Sequence, residues 1–201
     1  MVLRTLFGKG QPVELTSKTL LLRTPTLDDF ELWRTLRDES RSYLTPFEPK
    51  WSETELTLSS FRERVRQAER AAIDGSAFAL FIHEVSGGDT KLVGGINLSD
   101  IRRRVAQSVN IGYWMGETNA NKGTMTQALG MTLPFVFDQL DLHRANAACL
   151  LGNQRSIRVL EKNGFMHEGH AEGYLKIDGK WQDHLLFGLT KERFESNRAA
   201  S

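Results

Sequence analysis

Apolar residues recur along the chain with two alternating periods, and each change of period marks an element. Leu20, Leu21 and Leu22 form a short apolar run ending at Arg23, which predicts a first strand. Thr26 with Asp29 three residues later is a capping-box pattern. Leu27, Phe30, Trp33 and Leu36 then fall at roughly helical spacing. Residues 44–51 (LTPFEPKW) hold two prolines and two aromatics and read as a rigid loop. Ser52 with Glu55 repeats the capping pattern. Leu58, Phe61, Val65, Ala68 and Ala72 follow at spacings of 3, 4, 3 and 4. Arg62, Glu63, Arg66, Glu69 and Arg70 lie opposite them as a solvated face, and Gly75 is a fitting stop.

The period then shortens. Residues 77–85 (AFALFIHEV) and 92–98 (LVGGINL) predict two strands around the turn-rich SGGDT. Residues 105–115 predict a third, after three arginines at 102–104 that read as an exposed turn. From Gly123 the helical period returns, with Ala128, Leu129, Leu133, Val136, Phe137 and Leu140 on one face. Pro134 inside that run should kink the helix or remove a hydrogen bond. Residues 145–151 predict a strand in which Cys149 is a small buried hydrophobe. Residues 156–163 predict a short helix stopped by Gly164, and 174–177 and 181–189 a hairpin across Asp178 and Gly179. The expected class is α/β (α+β): a single domain over residues 18–193, with a mixed, largely antiparallel sheet of six to seven strands and about four helices. Residues 1–17 read as an N-terminal arm and 194–201 as a C-terminal tail.

Composition narrows the function classes. The 201 residues carry 26 Lys and Arg against 25 Asp and Glu, a formal charge of +1. That charge gives no sequence-independent grip on nucleic acid. No apolar run approaches the roughly 20 residues of a membrane span, and the N-terminus shows no secretory pattern. The single cysteine excludes an internal disulfide and a cysteine-built zinc site. The expectation is a cytoplasmic protein without nucleic-acid or membrane partners, acting as a monomer or weak dimer.

Two stretches carry candidate chemistry. In IGYWMGETNANKGTMTQAL (111–129) a strand ends near Met115 and a helix begins near Gly123 or Thr124. Free backbone N–H groups and the helix dipole at such a junction form an anion site suited to a pyrophosphate. Lys122 adds charge there, and Thr124 and Thr126 add hydroxyls. In NQRSIRVLEKNGFMHEGH (153–170), Asn153 follows a strand and Ser156 opens a helix; both are also good cap residues. If the two strands are neighbours, both helix starts open on one crevice.

These segments resemble the GNAT superfamily of acyl-CoA-dependent N-acyltransferases, and within it the RimJ/RimL-type branch of ribosomal-protein N-terminal acetyltransferases. TSKTLLLRTPTLDDFELW resembles the branch's first strand and helix, and YLTPFEP (43–49) its aromatic-proline acceptor loop. IGYWMG (111–116) resembles the bulged strand that admits the pantetheine arm. NQRSIRVLEKNGFMHEG and YLKIDGKWQDHLLFGLT resemble the branch's signature helix and closing hairpin. The likeness spans roughly residues 18–190 and implies a single GNAT-like domain. It departs at the phosphate loop, which in the family reads Gln or Arg, two residues, Gly, one residue, Gly or Ala. The aligned positions here are Thr118, Asn121 and Gly123, and only the last is kept. Asn tolerates the left-handed region better than most residues. The backbone path is then kept at a cost on the order of 1 kcal/mol, about five- to tenfold in affinity.

The resemblance implies acetyl transfer from acetyl-CoA to a primary amine by direct attack. The acceptor is a protein N-terminus, most readily a ribosomal protein's, or alternatively a small amine such as a polyamine, aminoglycoside or amino acid. A non-catalytic binding relative is the third reading, supported only by Thr118 and Asn121. By resemblance, coenzyme contacts fall to Trp114, Met115, Asn121, Lys122, Gly123, Thr124, Met125, Thr126, Asn153 and Ser156, with Ser156 donating to the leaving thiolate. The residues 105–115 hold no carboxylate to act as base. Glu168, Glu172, Tyr174, Asp183 and His184 are the candidates from the last third, and Glu172 with Tyr174 is the preferred pair. No metal is required.

Overall fold

The computed structural model describes residues 12–200. Residues 1–11 of the expected arm and Ser201 lie outside the described residues. Eight strands form one sheet in the order β1-β2-β3-β4-β5-β6-β8-β7. They are β1 (Glu14–Thr16), β2 (Leu20–Arg23), β3 (Phe78–Ser86), β4 (Asp89–Arg102), β5 (Ser108–Met115), β6 (Arg144–Leu150), β7 (Met166–Ile177) and β8 (Lys180–Thr190). Every pairing is antiparallel except β5 with β6. Six helices flank the sheet: α1 (Phe30–Glu39), α2 (Arg41–Leu44), α3 (Leu58–Asp74), α4 (Thr124–Pro134), α5 (Gln154–Lys162) and α6 (Lys191–Ala199).

The sheet thus has one strand more than expected, and two more helices. The extra strand is β1, inside the segment read as an arm. Val13 and Leu15 are fully buried there, but three residues are too few to display a period. The extra helices are the four-residue α2 and the polar α6, which buries none of its residues. Val105, expected in a strand, is fully exposed, while β4 runs on to Arg102.

Local chemistry accounts for the element ends. Thr26 and Asp29 form the capping box ahead of α1, with the Thr26 N–H donating to Asp29 Oδ2 at 2.7 Å. Gly75 closes α3 at φ 65°. Pro134 ends α4 because it has no N–H to give, and the chain continues as a π-helical turn over Phe135–Gln139. The main core lies between the sheet and α4, with Leu129, Phe135, Val136 and Phe137 fully buried. A second cluster packs Trp33, Leu36, Phe61, Val65, Phe81 and Leu92 between α1, α3 and the sheet. The site opens between these two layers.

Candidate active site

The parallel β5–β6 pairing covers only Ser108 with Arg144, Val109 with Ala145 and Asn110 with Asn146. Beyond it β5 pairs with β4 alone and β6 with β8 alone, so the sheet opens into a wedge. Tyr113 spans the wedge, its hydroxyl 2.8 Å from Ser156 Oγ and 3.3 Å from the Ser156 carbonyl oxygen. Asn153 caps α5, accepting from the Ser156 N–H at 3.1 Å, and so fixes Ser156 in the first turn. Burial pushes the Tyr113 phenol well above its usual range, against the opposing hydrogen bond with Ser156. Burial likewise raises the Cys149 thiol beneath them.

After β5 the chain makes a 3-10 turn over Glu117–Asn119 and then enters the left-handed region twice, at Asn121 (φ 62°) and Gly123 (φ 84°). Gly123 caps α4 with no side-chain hydrogen bond, so the first-turn N–H groups have no intrahelical acceptor. They face a cavity of about 380 Å³ whose walls include Lys122, Arg155, Arg158 and Lys162, with Glu48 as its one acid. The positive helix end and four cations give this cavity the electrostatics that suit a polyanion.

All ten positions expected to hold coenzyme line this cavity: Trp114, Met115, residues 121–126, Asn153 and Ser156. The Thr124 hydroxyl, however, donates to Glu84 Oε1 at 3.1 Å. What Thr124 offers a ligand is its backbone.

A second cavity, of about 400 Å³, lies on the α1–α3 side. Glu48, Tyr113 and Trp114 line both cavities. Glu48 is held in a fork by Arg37, with both hydrogen bonds at 2.7 Å, and by Trp51 Nε1 at 2.8 Å. Its loop is tied to the β7–β8 hairpin by the Asp178 N–H, which donates to the Glu48 carbonyl oxygen at 2.8 Å.

Glu172 and Tyr174 line neither cavity. They sit where β7 slips register against β8, between Ala171 and Leu175. There the Gly173 N–H bonds Asp183, and the half-exposed Tyr174 ring meets His184. Sequence reasoning missed Tyr113 and Glu48. Both stand inside motifs it quoted, and the signal for Glu48 was its place between two prolines in an acceptor-side loop.

The acetyltransferase (GNAT) domain family matches residues 19–166. The chain belongs to the GNAT acetyltransferase family. This GNAT chain is 32% identical over 181 residues to the [ribosomal protein uS5]-alanine N-acetyltransferase of Escherichia coli K12, covering 89% of the chain and 91% of that protein. The ribosomal-protein-S5-alanine acetyltransferase structure from Vibrio fischeri superposes with a TM-score of 0.82 at 28% identity, covering 90% and 98% of the two chains. Mycobacterium smegmatis RimJ in complex with CoA-disulfide superposes with the same score and identity, covering 90% and 88%. The GNAT fold and acetyltransferase class expected from the motifs therefore hold.

Proposed function

We propose that this chain transfers the acetyl group of acetyl-CoA to the N-terminal α-amine of a protein, a ribosomal protein being the favoured class, in the cytoplasm. The observation that carries the reading is the junction of the two cavities at Glu48, Tyr113 and Trp114. A two-substrate transfer needs two approaches that meet at one place.

The basic cavity fits the coenzyme. Lys122, Arg155, Arg158 and Lys162 with the uncapped start of α4 suit its phosphates, and the open β5–β6 wedge suits its extended arm. When bound, acetyl-CoA supplies an activated thioester. The amine nitrogen bonds to the acetyl carbon, the C–S bond breaks, the nitrogen's proton goes to solvent, and Ser156 donates a hydrogen bond toward the departing sulfur. Tyr113, kept protonated by burial, shares a 2.8 Å hydrogen bond with Ser156 Oγ; with Tyr113 as its donor, the Ser156 proton is free to point into the cavity.

No unpaired carboxylate lines the coenzyme cavity. That favours an acceptor needing little base assistance. At about pH 7.5 roughly a quarter of a terminal α-amine is neutral, against about a thousandth of a lysine side chain. Glu172 and Tyr174 have no part in this reading, since neither lines either of these two cavities.

The test is thiol release from acetyl-CoA with synthetic N-terminal peptides of ribosomal proteins, followed by mass determination of the peptides. A gain of one acetyl group at the α-amine is expected. Binding of acetyl-CoA with no transfer to any N-terminal peptide would refute the proposal.

A further inference from the structure

Glu48 is the one carboxylate among the three residues shared by the two cavities. Its oxygens are unequally used. Oε2 accepts from Arg37 Nη2 and from Trp51 Nε1, whereas Oε1, among the described residues, accepts only from Arg37 Nη1. A carboxylate has about four acceptor positions, so Oε1 keeps one open. Its side chain is 17% exposed.

The holder is unusual. Arg37 is 7% exposed, with its guanidinium carbon 4.4 Å and 5.0 Å from the Trp51 and Trp114 ring centroids. Its Nε–H is buried without an acceptor among the described residues. A buried ion pair with an unsatisfied donor is no gain over apolar packing. Stability alone gives no reason to keep it, whereas fixing a carboxylate in one orientation does.

We propose that Glu48 Oε1 is the hydrogen-bond acceptor for the incoming amine, held in place by Arg37 and Trp51. This deepens the acetyl-transfer reading and rests on it. The charge balance suits the task. Arg37 is also 3.9 Å from Glu55, which Arg64 pairs, so two acids face two bases. A neutral cluster orients an amine N–H without strongly favouring the ammonium form, which cannot attack. Glu48 therefore positions the amine and does not remove its proton.

Two variants test this. Glu48→Gln turns its carbonyl oxygen toward Arg37. Arg37→Met with Glu48→Leu removes the pair entirely, so that no unpaired guanidinium is left to unfold the protein. In both, KM for an N-terminal peptide should rise about ten- to a hundredfold, the loss of one hydrogen bond with ionic character. The Kd for acetyl-CoA should stay within about twofold. Peptide binding to the enzyme loaded with CoA, which cannot react, should weaken by the same factor as KM. The acidic limb of kcat/KM against pH should stay where the acceptor's own amine sets it, near about pH 8.

An unchanged peptide KM in folded variants would overturn the assignment. Loss of the acidic limb would overturn it too, by making Glu48 the base. Wild-type protein that acetylates a small amine but no peptide would refute only the peptide reading, and the same variants would score Glu48 on that amine. Wild-type protein that transfers to no amine would overturn both.

Discussion

Asn121 offers the sharpest test of the coenzyme site, because it stands where the family keeps a glycine. Its φ of 62° lies in the left-handed region, two residues before Gly123 at 84°. An ordinary L-residue there costs about 1–2 kcal/mol, Asn less, and a β-branched residue the upper end or more. Residues 121–123 are exposed, so the loop can leave this conformation without disturbing the buried part of α4. The cost should then appear as a smaller population of binding-competent loop, not as global unfolding. Asn121→Val should weaken acetyl-CoA binding by about 5- to 30-fold, and Asn121→Ala by about fivefold. Asn121→Gly should stay within about threefold of wild type, since glycine accepts this φ freely. Calorimetric titration at one salt concentration measures all four proteins, with unliganded midpoints as the folding control. If the valine variant binds like wild type, or the glycine variant binds worse than the valine one, the left-handed turn is not what shapes the site.

Other outcomes follow from the same geometry. Acetyl-CoA at about a hundredfold over Kd should add roughly 2.7 kcal/mol, a rise of about 5–10 °C in thermal midpoint, and adenosine alone should add none. Ser156→Ala should lower kcat by about 10- to 100-fold with little change in acetyl-CoA Kd, and Tyr113→Phe should lower it less. A raised acetyl-CoA Kd with kcat unchanged would remove Ser156 from the chemistry. At Asp29, burial alone would push the carboxyl up, but it is held well below the usual carboxylate range. The Arg23 guanidinium at 2.5 and 2.8 Å and the Thr26 N–H at 2.7 Å are the direct partners, with His83 Nε2 farther off at 3.8 Å. A depressed native pKa gives stability that is complete above the unfolded value of about 4 and fades as pH falls below it. Asp29→Asn should therefore unfold earlier than wild type at pH 7, by roughly 1–3 kcal/mol, and the gap should narrow below about pH 4. A gap independent of pH would show that the carboxylate charge is not its source.

Where one residue type can satisfy the local backbone, sequence and structure agree. Gly75 and Gly164 stop their helices at φ 65° and 84°, and Asp178 and Gly179 turn the last hairpin at 44° and 77°. Competition between partners hid other features. Ser52 and Glu55 have the spacing of a cap, yet α3 starts at Leu58 with Thr57 accepting from the Ser60 N–H. Glu55 is instead drawn to Arg64 and Arg37. Glu48 read as part of a wall because its partners lie on α1 and beyond the second proline, contacts that no period encodes. Glu172 was a candidate only as an acid of the last third, a segment whose facing no period fixed. It lies at the register slip of β7 between Ala171 and Leu175, and the strand forms the sheet's outer edge.

The second cavity has an optical consequence. Of the four tryptophans, Trp33, Trp51 and Trp114 line it, while Trp181 is 68% exposed on β8. Indole emission depends on local polarity and on nearby charge, and the Arg37 guanidinium already lies over two of these rings. Iodide should quench the exposed Trp181 most strongly, with Trp33 buried and Trp51 and Trp114 only half-buried. If the second cavity takes the acceptor as proposed, the protein carries its own fluorescent reporter for its occupancy, readable without a label and independent of turnover.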